Sequence, residues 1–308
     1  MNLLWKALAN NQHQILDVTL RDGGYMHQWA LSPHDVMQVA AFLASLPINI
    51  IEVGYASDQQ KYGCNGTLSP DFLKQLRSHI PKDKKLAIML FQEETHAISC
   101  LESRLEHIDL VRLPVRPNSL EKVQPLVTLC RQYDTACSIN ITKVSTYETD
   151  ELMRYVEQIT ELSVDIIYLA DSRGALYPEK VAELFSQLTS SFPQQAFGFH
   201  AHNNLSLAFI NSVAAVSAGA KYLDSSLCGL GLGSGNFMTE LLLFYLYRSS
   251  EQLSSIIATI MNHSHVYQCL AISPQKLKYI LSGILNIAQE TAEEAENLLA
   301  VYTSDFVC

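Results

Sequence analysis

The sequence predicts an α/β protein built as one (β/α)8 TIM barrel with a C-terminal helical extension, and three observations carry that prediction. Short apolar runs alternate with segments of helical period eight times before Ser250, the count for a (β/α)8 barrel. The runs are mostly apolar throughout rather than cleanly alternating, as parallel strands covered by helices should be. No Gly-x-Gly-x-x-Gly follows the first run, which weighs against a doubly wound dinucleotide-binding sheet.

The strands are expected to begin at Ile15, Ile48, Leu86, Ile108, Cys137, Ile166, Phe197 and Tyr222. Helices are expected over 33–46, with Ser32 as N-cap, and over 119–133, 149–162, 178–190 and 205–218, where apolar residues recur at helical spacing. From Ser250 the pattern becomes wholly helical, through 277–287 and 292–299. The barrel is therefore expected over residues 1–250 and a helical packing or assembly surface over 251–308.

Composition narrows the function classes. At 308 residues and 48% hydrophobic, the chain can bury one large core. A formal net charge of −10 without a Lys/Arg stripe argues against nucleic acid or an anionic membrane as partner. A small anionic substrate is compatible with that charge, because a local arginine and a metal outweigh a distant negative field. The seven cysteines are scattered, odd in number and free of Cys-x-x-Cys pairs, a usage that suits a reducing compartment. The N-terminus carries no apolar h-region and no apolar run reaches membrane-spanning length, so a cytoplasmic location is expected.

Two segments at opposite ends of the chain read as halves of one metal site. The first strand runs into Arg21-Asp22-Gly23-Gly24, and the seventh carries His200-Ala201-His202. Residues i and i+2 of a strand share a face, so both imidazoles can aim at one point. Two nitrogens and a carboxylate with open positions suit Mn²⁺, Fe²⁺, Mg²⁺ or Zn²⁺ acting as a Lewis acid. Barrel closure makes strands one, seven and eight neighbours, and active sites lie at the C-terminal ends of barrel strands. His263-Ser264-His265 is an internal control, a second His-x-His with no strand around it. Arg21 has two readings at this stage, a catalytic cation or a buried ion-pair partner of Asp17 or Glu52.

Thr19-Leu20-Arg21-Asp22-Gly23, His200-Ala201-His202 and the loop Gly229-Leu230-Gly231-Leu232-Gly233-Ser234-Gly235-Asn236, taken together, resemble the DRE-TIM metallolyase superfamily. The resemblance spans the barrel and is greatest to 4-hydroxy-2-oxovalerate aldolases and HMG-CoA lyase-like aldolases. It implies a divalent metal, Mn²⁺ or Mg²⁺ first and Zn²⁺ or Co²⁺ after them, on Asp22, His200 and His202, with Asn236 joining in some members. It implies that Arg21 stabilises an enolate. An enolate beside a carboxylate places two negative charges side by side, which a metal and a guanidinium offset in a water-poor cavity.

Glu52 is expected to hold Arg21 from the end of the second strand. Glu52, Arg112, Asn140 and Asp171 stand near strand ends and are expected to line the substrate pocket, with Gly233 offering a backbone nest for a carboxylate. Two departures from the family pattern stand out. Tyr25 occupies the position where pyruvate aldolases of this type place a histidine base, and a phenol is a weak base at neutral pH. Cys228 precedes a glycine loop too short to carry the catalytic cysteine of HMG-CoA lyases, and reads as core.

The expected activity is a metal-dependent aldolase or lyase acting beside the carbonyl of a 2-oxo acid, through a pyruvate-type enolate. The resemblance also implies a homodimer and a partner dehydrogenase. The alternatives are a Claisen-type acyl-CoA synthase, whose usual Gly-Glu-Arg is replaced here by Leu232-Gly233-Ser234, and a non-catalytic barrel subunit.

Overall fold

The computed structural model describes residues 13–57, 63–91, 96–116, 119–248, 251–273 and 275–286. Eight parallel strands close into a barrel in chain order. They are β1 (Gln14–Asp17), β2 (Ile50–Tyr55), β3 (Lys85–Met89), β4 (Leu110–Val115), β5 (Ala136–Ile141), β6 (Ile166–Asp171), β7 (Ala196–Ala201) and β8 (Tyr222–Ser225). Closure is made by β1, which pairs with β2 through Leu16 and Ile50 and with β8 through Leu16 and Asp224.

The two faces of each strand divide the core. Ile15, Ile51, Ile88, Val111, Ile139, Ile167, Phe199 and Leu223 belong to the large outer cluster shared with the helices. Leu16, Val18, Ile50, Ala87, Leu110, Ile166 and Tyr168 form a separate cluster inside the barrel. Two residues further along several of the same strands, the interior becomes polar. Ile50 is followed on its face by Glu52, Leu110 by Arg112, Ala136 by Ser138 and Asn140, and Tyr222 by Asp224, all buried. The barrel thus has an apolar floor and a charged upper layer, generated by the two-residue period of the strand.

The helix signals resolve closely. Pro33–Ser45 begins behind Ser32, whose side chain accepts from Asp35 N while Asp35 caps Ser32 in return, a reciprocal capping box. Leu120–Gln132, Thr149–Glu161 and Pro178–Ser191 fall within a residue of expectation. The helix expected from residue 205 starts later, as Ala208–Ser217. Ser206 takes a left-handed turn and Asn203 Oδ1 accepts from Ala208 N, so these polar residues form a cap and not a first turn.

After β8 come Thr239–Tyr247, Gln252–Asn262, Ser264–Cys269 and Gln275–Leu285. The expected helix over 292–299 lies outside the described residues. The C-terminal helices pack on Pro33–Ser45, with the Phe42 ring 5.0 Å from His263 and 5.9 Å from Tyr267. The control pair His263 and His265 stands at this helix junction, and His263 Nδ1 bonds to Thr259 O. No helix among the described residues is long and apolar enough to cross a membrane.

Candidate metal centre

The turn after β1 brings Asp22 back over the barrel mouth. Arg21 N and Asp22 N both donate to Val18 O, so the chain reverses at once and keeps Arg21 and Asp22 above the strand ends. At the other end of the chain, β7 continues into His202, which bridges to Asn236 of the loop after β8. One ligand atom each from Asp22, His200 and His202 lies within 4.8 Å of the others, and all three residues are buried.

The donor set fits a divalent cation. The His200 and His202 Nε2 atoms face each other at 3.3 Å, a separation suited to two imidazoles sharing one ion at bonds of about 2.1 Å. His200 Nδ1 is bound to Asp224 Oδ2 at 2.9 Å, which leaves Nε2 as the free nitrogen. Burial, reinforced by the neighbouring His200, lowers His202 to about 4, so it stands neutral with a lone pair to give. Burial alone would raise Asp22, but Arg21 and the two imidazoles pull it down to about 2. Asn236 donates through Nδ2 to Asp22 Oδ2 at 2.7 Å, while its buried Oδ1 has no donor and is available to an ion.

A continuous chain of charge runs from this cluster around the interior. Arg21 Nη1 meets Asp22 Oδ1 at 2.6 Å and Arg21 Nε meets Glu52 Oε2 at 2.8 Å. Arg112 Nη1 shares that Glu52 oxygen at 2.8 Å, and Arg112 Nη2 reaches Asp224 Oδ2 at 2.6 Å. The circuit closes at His200. It holds three carboxylates and two guanidiniums, a net formal charge of −1 with neutral imidazoles, buried where an unmatched charge is costly. Glu52 Oε1 and Asp224 Oδ1 are further buried acceptors without a donor. Both facts favour a bound cation. Burial opposes the Arg21 charge, yet the Glu52 and Asp22 carboxylates outweigh it and keep the guanidinium protonated.

The expected site residues do not all converge. Arg21, Asp22, Tyr25, Asn140, His200 and His202 line one cavity of about 230 Å³ at the C-terminal mouth. Glu52 and Arg112 are fully buried beneath it and bear on it through Arg21, Asn140 and, by way of Asp224, His200. With the Asn140 amide turned so that its oxygen faces the guanidinium, it accepts from Arg112 Nη2 at 2.8 Å. Asp171 is a correction. Its carboxylate accepts from Ala175 N and Leu176 N, closing the loop after β6 on the outer side of the barrel.

Gly233, expected to offer a backbone nest, is not among the residues that line this cavity. It stands at the open tip of its loop with φ +67 and no atom within 4 Å of a would-be Cβ. The glycine that bears on the site is Gly231, where a Cβ would lie 2.2 Å from Asn236 Nδ2 and 2.6 Å from Asp22 Oδ2.

Three participants escaped sequence reasoning. Asp224 orients His200, and its signal was an acid in mid-strand on the face of the apolar floor. Tyr55 bonds Tyr25 hydroxyl to hydroxyl at 3.1 Å and lines the same cavity. Burial raises Tyr55 well above the usual phenol range. Trp29 Nε1 donates to Arg21 O at 3.2 Å and packs edge-on against Tyr25, fixing the turn from behind. Cys228 is half-buried, with its N–H donated to Glu240 Oε2, and takes no part in the cavity.

A closed barrel that gathers two imidazoles, a carboxylate and an ion-paired arginine at its C-terminal mouth defines the class of metal-using (β/α)8 enzymes. The comparisons place the chain within that class. The model of the HMGL-like family matches residues 12–272, and the chain belongs to this family.

A 4-hydroxy-2-oxovalerate aldolase of Pelotomaculum thermopropionicum is 28% identical over 275 residues, covering 87% of this chain and 80% of the relative. An oxaloacetate decarboxylase of Mycobacterium tuberculosis is 27% identical over 237 residues, covering 76% and 70%. Both are carbon–carbon lyases. Among solved structures, the N-terminal domain of a Bacteroides vulgatus protein described as an aldolase superposes with a TM-score of 0.70 at 29% identity, covering 91% of this chain and 95% of that one. The HMG-CoA lyase of Brucella melitensis shares the fold, with a TM-score of 0.67 at 15% identity over 83% of this chain and 99% of that one.

Proposed function

We propose that this protein is a divalent-metal-dependent aldolase or lyase that breaks or forms the C–C bond next to a 2-oxo acid, by way of a pyruvate-type enolate. The observation that carries this reading is the buried Asp22–His200–His202 cluster bonded directly to Arg21. The mixed nitrogen and oxygen donors suit Mn²⁺ better than Mg²⁺, which prefers an all-oxygen shell. Bound there, the cation supplies Lewis-acid stabilisation to the keto and carboxylate oxygens of the substrate.

The chain's own residues do the rest. Arg21 spends Nε on Glu52 and Nη1 on Asp22, so Nη2 is left to donate to the oxygen that gains charge as the enolate forms. Its planar fork is held on two sides and needs no reorganisation at that moment. Tyr25 and Tyr55 supply the hydroxyls for proton movement. Tyr55 stays a neutral phenol and can donate to the Tyr25 oxygen, which frees the Tyr25 proton for exchange with the substrate hydroxyl. The apolar side chains of Met89, Pro114 and Leu232 line the same mouth and limit water there.

Deuterium exchange tests the reading. Mn²⁺-loaded protein should exchange the methyl protons of pyruvate with deuterated water, and chelation should abolish the exchange. Tyr25→Phe should slow full turnover by about two orders of magnitude with the metal retained. Thiol release from acetyl-CoA in the presence of a 2-oxo acid, without pyruvate exchange, would establish the synthase reading instead.

A further inference from the structure

We infer that the cavity carries a second anion subsite, formed by Arg116 and Lys143, which takes the distal carboxylate of a 2-oxo diacid. The inference rests on the metal-dependent 2-oxo acid reading above and specifies its substrate class.

Both residues line the same cavity as the metal ligands. Arg116 follows directly on β4 and Lys143 stands two residues past β5, and the two strands pair up to Val115 and Ile141. In a ring of eight strands closed in chain order, β4 and β5 lie across the mouth from β8 and β1. A substrate held at Asp22, His200 and His202 therefore extends toward these two cations. Met89, Pro114 and Ala170 line the cavity as well and suit a short carbon chain.

Neither cation has a carboxylate partner among the described residues, although the whole chain has ten more acidic than basic groups. Arg116 acts electrostatically on Tyr147, which is not an acid at neutral pH. Among the described residues Asp22 is the one acidic group lining the cavity, against Arg21, Arg116 and Lys143. Arg21 is already paired with Asp22 and Glu52, so among the described lining residues Arg116 and Lys143 are the two cations left for the second charge of a dianion.

The backbone under both residues is held in place. Lys143 has φ +56, a left-handed conformation that a non-glycine residue adopts only where its surroundings impose it. Its N–H donates to Ser172 Oγ and its carbonyl accepts from Thr146 Oγ1, both at 2.9 Å. The Arg116 carbonyl accepts from Tyr155 Oη at 2.6 Å and from Ser119 Oγ at 2.7 Å. Both side chains are exposed, so the two cations stand at the open rim of the cavity on a fixed backbone. The cavity, at about 230 Å³, lies just under the usual range for small-molecule sites, a size that suits a short diacid.

The test compares two probes of equal chain length on the Mn²⁺-loaded protein by titration calorimetry. 2-Oxoglutarate carries the distal carboxylate and 2-oxopentanoate does not, and pyruvate reports on the metal end alone. The parent protein should bind 2-oxoglutarate about tenfold more tightly than 2-oxopentanoate at low salt, with the ratio shrinking as salt screens the exposed cations. The Arg116→Gln, Lys143→Gln double variant should bind the two probes equally and bind pyruvate as the parent does. Equal binding by the parent, or a preference that survives in the double variant, would overturn the subsite. Failure of pyruvate to bind, with a diacid preference still lost in the double variant, would overturn the 2-oxo acid reading and leave the anion site standing. Binding of none of the three would remove both.

Discussion

His200 can present Nε2 to an ion because Asp224 holds its other nitrogen, and Asp224 is itself held by Arg112. Burial would raise the Asp224 carboxyl, but Arg112 and the His200 bond lower it, so it stays an acceptor and selects the tautomer. Asp224→Asn keeps the shape and loses the charge. Mn²⁺ affinity should then fall about 10- to 100-fold, as for other partners that orient metal-bound histidines, measured by titrating free Mn²⁺. An unchanged affinity would show that the strand backbone alone orients the ring.

The loop after β8 and the bulge in β2 each place one functional group. Asn236 N donates to Gly229 O at 2.8 Å and Asn203 N to Gly235 O at 2.8 Å, which ties the loop to the extension of β7 and presses Asn236 onto Asp22. Gly231→Ala should therefore displace Asp22 or Asn236 and weaken metal binding by at least tenfold. Gly233→Ala, with open space around it, should cost only the roughly 1 kcal/mol of a left-handed non-glycine residue and leave the metal bound. Metal content and thermal denaturation of the two variants decide between them. In β2 the register with β3 shifts between Glu52 and Gly54. Gly54 accepts the bulge because a Cβ there would strike Asn65 O at 1.8 Å. The extra residue turns Tyr55 toward the mouth, where strict alternation from Glu52 would have pointed it outward.

Charge is organised in two buried systems on opposite sides of β1. Inside the barrel, Arg21 and Arg112 pair with Asp22, Glu52 and Asp224 and leave one negative charge for a cation. Outside it, Asp17 accepts from Thr19 N at 2.8 Å and Thr239 Oγ1 at 2.7 Å, near Glu240, with no cation paired to it among the described residues. Burial raises Asp17 from an ordinary 3.8 to about 7, and burial raises Glu240 too. The folded protein thus holds a proton on Asp17 that the unfolded chain releases above about pH 4. This contribution to stability is full below the unfolded value and is lost as pH rises toward 7. Asp17→Asn removes that dependence. The melting temperature of the variant minus that of the parent should grow by a few degrees between pH 4 and pH 7 and then level off. A constant difference across that range would place the proton elsewhere.

The eightfold beat of strand and helix, the barrel, and the three residues Asp22, His200 and His202 were legible in the chain alone. Each depends on short-range order, namely the two-residue period of a strand, the helical period and a turn motif at a strand end. Strand parity even contained the answer for Asp171, which shares a face with outward Leu169 and not with interior Tyr168. Other features needed the closed barrel. Arg21 pairs with Glu52 and not with Asp17 because Leu16 and Val18 face the interior while Asp17 faces the helices. Arg112 meets Asp224 across 112 positions of sequence, and Tyr55 enters the site through a bulge that leaves no trace in residue pattern. The apposition of Arg116 and Lys143 to the metal ligands likewise exists only once the ring is closed. Periodicity is a property of neighbours along the chain, whereas ion pairing and cavity shape depend on distances between strands, and those are set when β1 meets β8.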